Sequence, residues 1–510
     1  MLLKNFPEDH NNLGIALAEK AIAEHREAIR IKKAPPRAYI VHCRLGIGLC
    51  INGHLDEAIA EYREAIRIEK DFPEAHLQLG SALYSKGRVD EAIAEYREAI
   101  RLKKDNAGAH DMLGSILRDA KCDYDGAIAE FRESIRLKKD IPGAHNNLGI
   151  ALYRKGRLDE AIAEHREALR ILKNYPDAHC NLGIALMAKG LLDEAIAEYR
   201  EALRLKPAFA GGHNGLGNAL MDKGWLDEAI AEFREAIRLN KDFPEAHYNL
   251  GNALKRKGRL DEAIGEYREA IGFKKDFAEA YCNLGSTCEL KGQFAEALVY
   301  RRRGHELGSK NPRWPYPSAQ WVRDGERLVE LDGKLPAILS GQKQPADAAE
   351  RLALAQLCQL PCKKQYAAAV RFYHEAFAAE PKLTGGQTSV HRYNAACAAA
   401  LAGCGQGADA DKLDSQERDR LRRQGLDWLQ ADLNAYRPML EKSQGQAGPA
   451  IAKQMQHWLQ DDDFAGVRST EALAGLPKAE RQEWEKLWQE VNALRQRAAE
   501  RPSAASSARP

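Results

Sequence analysis

The chain has 510 residues, and its 76 basic and 74 acidic side chains nearly cancel. This balance gives no overall indication of a nucleic acid or an anionic membrane as a partner. The longest apolar run, at residues 395–404, is too short to span a bilayer, and the start of the chain lacks the apolar core of a signal peptide. We therefore expect a cytoplasmic protein.

The first predicted elements are helical hairpins that recur along residues 1–310. Residues 142–175 are typical of the unit, with the sequence PGAHNNLGIALYRKGRLDEAIAEHREALRILKNY. Apolar residues at three- and four-residue spacing predict a first helix. Gly156 is predicted to end it with a positive φ, and Asp159 is predicted to cap the N-terminus of a second helix. No stretch alternates apolar and polar residues as a sheet requires. The sequence therefore predicts an all-α fold.

The period of these hairpins can be read from one glycine. It follows a leucine in each first helix, and six of the eight intervals between its nine occurrences are 34 residues. These glycines are Gly14, Gly46, Gly80, Gly114, Gly149, Gly183, Gly217, Gly251 and Gly285. The first helices read His-x-x-Leu-Gly-x-x-Leu and the second ones Ala-x-x-x-Tyr/Phe/His-x-x-Ala, a pattern that resembles tetratricopeptide (TPR) repeats. The resemblance implies a right-handed α-solenoid of about nine hairpins.

The first hairpin is incomplete in this interpretation. Residues 1–9 resemble the end of a second helix, so the chain opens in the middle of a repeat. Two explanations stay open: a frayed first hairpin, or a chain that is the rear part of a longer gene product.

After residue 310 the regular pattern ends. Residues 311–345 are predicted as a linker with a short helix, 346–500 as a helical C-terminal block with degenerate TPR-like repeats, and 501–510 as a disordered tail.

The C-terminal block resembles the C-terminal TPR region of large bacterial Ser/Thr protein kinases. The segments that carry this resemblance are AERLALAQLCQ, YAAAVRFYHEAFAAEP, HRYNAACAAALAG and MQHWLQDDDFAGVR. The kinase domain itself does not occur in the sequence. His391-Arg392 is followed by Tyr393-Asn394 instead of Asp-Leu, and there is no glycine-rich phosphate loop or Asp-Phe-Gly.

Several residue types that often carry chemistry are interpreted as structural here. The ten cysteines are expected to be free thiols, because Cys358 and Cys362 enclose Pro361 and no second pair with zinc spacing follows. Eight histidines share one slot of the first helix, where neighbouring repeats place them about 10 Å apart, too far to share an ion. They are His10, His42, His76, His110, His145, His179, His213 and His247. We expect no metal, no cofactor, no catalytic residue and no enzyme activity.

Asparagines recur on the face of the first helices, which in TPR arrays lines a concave groove. They are similar to asparagine ladders that hydrogen-bond the backbone of an extended peptide. Those directly before the Leu-Gly pair are Asn12, Asn147, Asn181, Asn249 and Asn283, and those three residues further along are Asn218 and Asn252. We expect the side chains of Asn249, Asn252 and Asn283 to point into solvent instead of into the seam between the helices. The alternative is that asparagine is merely tolerated on an exposed helix surface.

Four further residues complete the predicted groove. Tyr153, Met187 and Met221 offer adaptable apolar contact, and Lys255 offers a charge for an acidic side chain or chain end. The sequence thus predicts a scaffold that binds a peptide or protein partner. The alternative function is a non-catalytic regulatory or substrate-recruiting part of a Ser/Thr kinase, with a separately encoded kinase as a candidate partner.

Overall fold

The computed structural model describes residues 19–20, 22–24, 26–27, 37–384, 390–442 and 447–500. Helices and the turns between them account for these residues, and no strand occurs among them, so the predicted all-α fold of consecutive hairpins is confirmed. No helix in the described ranges is long and apolar enough to cross a membrane. The predicted features at His10, Asn12, Gly14 and 501–510 lie outside the described residues.

Residues 38–308 form helical hairpins in succession. The first helices are α1 (Ala38–Ile51), α3 (Pro73–Ser85), α5 (Ala107–Asp119), α7 (Pro142–Arg154), α9 (Pro176–Ala188), α11 (Ala210–Asp222), α13 (Pro244–Arg256) and α15 (Ala278–Leu290). The second helices are α2 (Leu55–Ile68), α4 (Val89–Leu102), α6 (Tyr124–Leu137), α8 (Leu158–Ile171), α10 (Leu192–Leu205), α12 (Leu226–Leu239), α14 (Leu260–Phe273) and α16 (Phe294–Gly308).

The rest of the chain is also helical. Its helices are α17 (Ser318–Leu339), α18 (Ala348–Gln359), α19 (Tyr366–Ala379), α20 (Val390–Gly403), α21 (Ser415–Lys442), α22 (Gly448–Gln460), α23 (Ala465–Arg468), α24 (Thr470–Ala474) and α25 (Lys478–Ala499). Short 3-10 turns lie at Pro381–Thr384, Ala410–Lys412 and Asp462–Phe464.

The segment predicted as a linker with a short helix contains the 22-residue helix α17. An apolar stripe with the helical period runs along this helix. Leu331, Leu335 and Ile338 lie at helical spacing and are buried in the core of this part of the chain. Tertiary packing therefore extends the helix beyond what local propensity suggests.

The chain divides into two compact units, residues 1–253 and residues 254–510. The first unit holds the hairpins from α1 to α12. In the second unit, buried aromatic side chains, among them Trp458, Phe464 and Trp484, form much of the core of the C-terminal block. The division falls within α13, and the predicted boundary near residue 310 stays a prediction.

A close contact between a glycine and a ring holds together six of the hairpins, from α1–α2 to α11–α12. A Cβ atom on Gly46 would lie 2.6 Å from the ring of Tyr62, and one on Gly149 would lie 2.6 Å from the ring of His165. Since real Cβ atoms do not approach a ring so closely, any larger residue would push the two helices apart. The predicted positive φ of the turn glycine is confirmed at Gly156, where φ is 74°.

The prediction that Asp159 caps the second helix is wrong. Helix α8 begins at Leu158, so its N-cap is Arg157, and no side chain caps this end. Asp159 lies inside the first turn, where its charge still favours the helix dipole. Its carboxylate forms an ion pair with Lys189 of the next repeat instead.

Two hydrogen bonds hold the histidines of the first-helix slot, as His145 illustrates. Its Nδ1 lies 2.7 Å from a carboxylate oxygen of Glu164 on α8, and its Nε2 lies 3.1 Å from the carbonyl oxygen of Lys139. Both partners can only accept hydrogen bonds, so both ring nitrogens must carry a hydrogen, and the charged imidazolium is favoured. His76 and His179 make the equivalent pairs of contacts.

These contacts change the acidity of the rings. The hydrogen bond to Glu164 raises the pKa of His145 against the effect of burial. At His76 and His179 burial alone lowers the pKa, but the hydrogen bonds to glutamate and backbone outweigh it, and the pKa is raised. The folded state thus binds these protons more tightly than the unfolded state. The resulting stabilisation is complete below the ordinary histidine pKa of 6.5 and is lost as the pH rises through the raised values.

We predict that the array loses stability when the pH rises from about 6 to about 9, and that three of its His–Glu pairs contribute to this loss. The variant Glu95→Gln/Glu164→Gln/Glu198→Gln removes their carboxylates. A glutamine amide can still form a hydrogen bond with a neutral imidazole, but it does not stabilise the charged ring as a carboxylate does. Urea denaturation should show the variant less stable than the wild type at about pH 6, with a smaller difference at about pH 9.

The matched control changes three exposed glutamates that pair with arginine, which does not titrate in this range: Glu91, Glu160 and Glu194. Their change to Gln should leave the pH dependence as in the wild type. An equal effect of the two variants on the pH dependence would contradict the account.

Candidate functional site

The candidate site is the surface made by the first helices of the first unit, which we call the inner face. Consecutive first helices contact one another, as α9 does with both α7 and α11. The predicted groove residues of this unit are all half-buried: Asn147, Tyr153, Asn181, Met187, Asn218, Met221, Asn249 and Asn252. In the second unit, Lys255 and Asn283 are half-buried as well.

Two of the predicted asparagines bind the neighbouring repeat. The side-chain amide of Asn181 donates a hydrogen bond to Oδ1 of Asn146 over 3.0 Å, and that of Asn249 donates to Oδ1 of Asn214 over 3.0 Å. The expectation that the side chain of Asn249 points into solvent is therefore wrong, and Asn181 is engaged in the same way. The position before the Leu-Gly pair faces the preceding first helix, so its amide can clamp two repeats together.

Asn146 connects this surface to the interior of a hairpin. It is buried, and its Oδ1 also lies 3.1 Å from Nδ1 of the buried His165. Burial lowers the pKa of His165 to about 4, so the ring is neutral and its Nδ1–H donates to Asn146. Sequence reasoning missed Asn146 because six of the nine repeats carry a residue other than asparagine at its position. The sequence feature that could have identified it is His165. This histidine stands at the second-helix position that Tyr62 and Tyr96 occupy in other repeats, and a buried imidazole needs a hydrogen-bond partner.

A charged group lies one repeat earlier on the inner face. Arg118 donates to Oδ1 of Asn147 over 2.9 Å and makes two hydrogen bonds, of 2.6 and 2.8 Å, with Asp119. The amide of Asn147 donates to Oδ1 of Asp111 over a long 3.5 Å. Burial raises the pKa of Asp111, although Asn147 and Arg118 act in the opposite direction. Tyr175 belongs to the same region, because burial and the charges of Asp177 and Asp111 raise the pKa of its hydroxyl.

The other predicted residues differ in how far their side chains are engaged. Asn218 has no side-chain hydrogen bond within the described ranges. The sulfur of Met187 accepts a 3.6 Å hydrogen bond from the hydroxyl of Tyr199. In the second unit, Lys255 donates to Ser286 over 2.6 Å, and burial lowers its pKa. It lines a cavity of about 380 Å³ beside Glu289.

A second polar cluster lies in the C-terminal block. The ligand atoms of Cys397, Asp461 and Asp463 lie within 4.8 Å of one another. The hydroxyl of Tyr393 donates to Asp461 over 2.5 Å. Burial raises the pKa of Cys397, and the two carboxylates raise it further, so the thiol stays protonated and is a poor nucleophile. All ten cysteines of the chain are free.

Stacked two-helix units with a 34-residue period define a protein of the α-solenoid class. A family model described as TPR repeat matches residues 49–87, 80–117, 123–156, 151–190, 185–224, 217–258 and 251–292. The chain is a TPR repeat protein through this segment, and TPR repeats generally mediate protein–protein interactions.

Three solved structures illustrate what the chain is similar to. YrrB, described as a TPR protein with an unusual peptide-binding site, is 22% identical, with a TM-score of 0.32 over 36% of this chain and 95% of that one. MamA is 30% identical, with a TM-score of 0.30 over 32% of this chain and 95% of that one. A protein from Thermus thermophilus, TTC0263, described as a thermophilic TPR protein, is 24% identical, with a TM-score of 0.33 over 36% and 99%. The comparison with curated proteins gave no match.

We predict that Asn146→Ala destabilises the array, because it leaves the buried Nδ1–H of His165 and the amide of Asn181 without their acceptor. A buried donor without a partner costs about 1–3 kcal/mol. Asn218→Ala is the matched control on the same face, and it should change stability by less than about 0.5 kcal/mol. Urea denaturation of the two variants measures both values, and equal losses would refute a structural role for Asn146.

Proposed function

We propose that the inner face of the first unit binds an extended segment of a partner protein. The observation that carries this proposal is the row of half-buried asparagines on successive first helices, in which Asn218 keeps its whole amide available among the described residues. A side-chain amide both donates and accepts, which matches a peptide group of any sequence. A partner in extended form exposes its backbone for such contacts.

The dimensions of the array suit this kind of partner. Packed helices lie about 8–10 Å apart, and an extended chain advances about 3.3–3.6 Å per residue. Each repeat therefore spans about three residues of a bound segment. One amide contact per repeat would then hold the backbone at regular intervals and leave the side chains in between for recognition.

Apolar side chains beside the asparagines offer surface for that recognition. Ile47, Met112 and Ile184 lie on first helices and are 38%, 42% and 41% exposed. Methionine adapts to partners of different shape, so Met112 and the half-buried Met187 suit variable side chains. Burial of such apolar area would supply most of the affinity, and the amides would fix the direction and register of the backbone.

The C-terminal block supports a second candidate function, that of a regulatory or substrate-recruiting part of a Ser/Thr kinase. Two of the segments that resemble such kinases are adjacent in space, since Tyr393 of one stacks on Trp458 of the other with ring centres 5.5 Å apart. The resemblance thus covers one packed region instead of scattered matches. A separately encoded kinase as the partner belongs to this second proposal.

We predict that Asn218→Ala/Asn252→Ala weakens peptide binding by about thirtyfold, because each lost hydrogen bond costs about 1 kcal/mol. The probe is a phage-displayed library of random, unstructured peptides, selected on the full-length wild-type chain. The selected peptides are then synthesised and titrated by fluorescence anisotropy against both proteins.

The matched control is Arg97→Ala/Arg200→Ala, which changes two exposed side chains on second helices. This variant should bind the selected peptides as the wild type does. Failure of the wild type to select any peptide would count against the proposed function. Binding that survives the asparagine changes but not the arginine changes would place the contact on the second helices.

A further inference from the structure

We propose that the carboxylate of Asp111 receives a lysine or arginine side chain of the bound segment and so fixes its register on the array. This inference rests on the proposed function, because it assigns one side-chain specificity to the same inner face. The sequence did not predict a binding site for a cationic side chain, because Lys255 was the one charged residue among the predicted groove residues.

Asp111 has few partners of its own. Among the described residues, its side chain makes one hydrogen bond, the 3.5 Å contact from the amide of Asn147 to Oδ1. Oδ2 has no side-chain or backbone donor in the same ranges. The nearby cation, Arg118, makes no ion pair with Asp111. Its guanidinium is already bound to the carboxylate of Asp119 and to Oδ1 of Asn147.

The environment of Asp111 makes a cationic partner favourable. Burial raises the pKa of Asp111, and the hydrogen bond from Asn147 and the charge of Arg118 offset this effect only in part. A half-buried carboxylate gains most from a charged donor, because such hydrogen bonds are roughly twice as strong as neutral ones. Lysine and arginine also carry apolar stems, and Met112, the next residue of the same helix, is 42% exposed.

The position of Asp111 lets the contact fix the register of the bound segment relative to the repeats. It lies two residues before the Leu-Gly pair, and the corresponding residues in the other eight repeats are uncharged: Asn11, Cys43, Leu77, Asn146, Cys180, Asn214, Tyr248 and Cys282. Amide contacts alone recur with each repeat and would allow a segment to shift by about three residues. One carboxylate at one repeat removes that degeneracy, because a shifted segment would leave its cation without a partner.

The test compares selections from the same phage-displayed random peptide library on full-length proteins. Wild type should enrich peptides with lysine or arginine at one fixed position. Asp111→Asn keeps the shape and can still accept from Asn147, and it should enrich peptides without that preference. The matched control is Asp105→Asn, an exposed carboxylate in the turn before α5, and it should select as the wild type does.

Titration of one selected peptide gives a second measurement that needs no protein variant. Replacement of its basic residue by norleucine should weaken binding to the wild type by about tenfold and leave binding to Asp111→Asn unchanged. Circular dichroism confirms that Asp111→Asn is folded.

Each other outcome overturns the inference. Peptides selected without a basic preference would leave the proposed function standing and remove the role of Asp111. A preference for acidic residues would point to Arg118 instead. No selected peptide at all would remove the proposed function, and this inference with it.

Discussion

The contact between a glycine of the first helix and a ring of the second helix is the constraint on which the array depends. At Gly80 and Gly114 a Cβ atom would lie 2.9 and 2.8 Å from the rings of Tyr96 and Phe131, so the two helices meet at a distance that only glycine permits. This approach buries the small alanines on both helices and sets the angle of each hairpin. Because the same pair recurs with a 34-residue period, successive hairpins are similar enough to stack.

Features that repeat were the ones that the sequence could predict. The period, the helices, the turn at Gly156 and the structural slot of the histidines all follow from local patterns that recur several times. The burial of α17 could not be predicted in this way, because Leu331 and Leu335 are covered only when neighbouring helices pack on them. Asp159 lies two positions after the N-cap of α8, Arg157, so a residue able to cap did not mark where this helix starts.

The candidate site was predictable as a face but not as a set of contacts. Asn181 and Asn249 were identified from their recurrence, yet their bonds to Asn146 and Asn214 join residues 35 positions apart. Asn146 and Asp111 occupy a position that holds five different residue types in nine repeats, so no single periodic pattern identifies them. Their roles depend on which residue of the neighbouring repeat lies opposite them after the repeats stack. The sequence of a single repeat does not show this.

Stability and recognition therefore share side chains on the inner face. The amides of Asn181 and Asn249 hold successive first helices together, whereas Asn218 is not engaged in this way within the described part of the chain. A partner that contacts the inner face would add hydrogen bonds to a surface that is already partly ordered, which lowers the entropy lost on binding. Inside one hairpin, the hydrogen bond between His145 and Glu164 joins the first helix to the second and raises the pKa of His145.

The most direct test of the central claim, that the inner face binds an extended partner segment, is site-specific photo-crosslinking of a selected peptide. A photoreactive amino acid replaces Ile184, an exposed inner-face residue of α9, or Ala197, an exposed residue of the second helix α10. The account predicts a crosslink from position 184 that unlabelled peptide competes away, and none from position 197. Crosslinks from position 197 alone would show that the partner binds the second helices and would contradict the account.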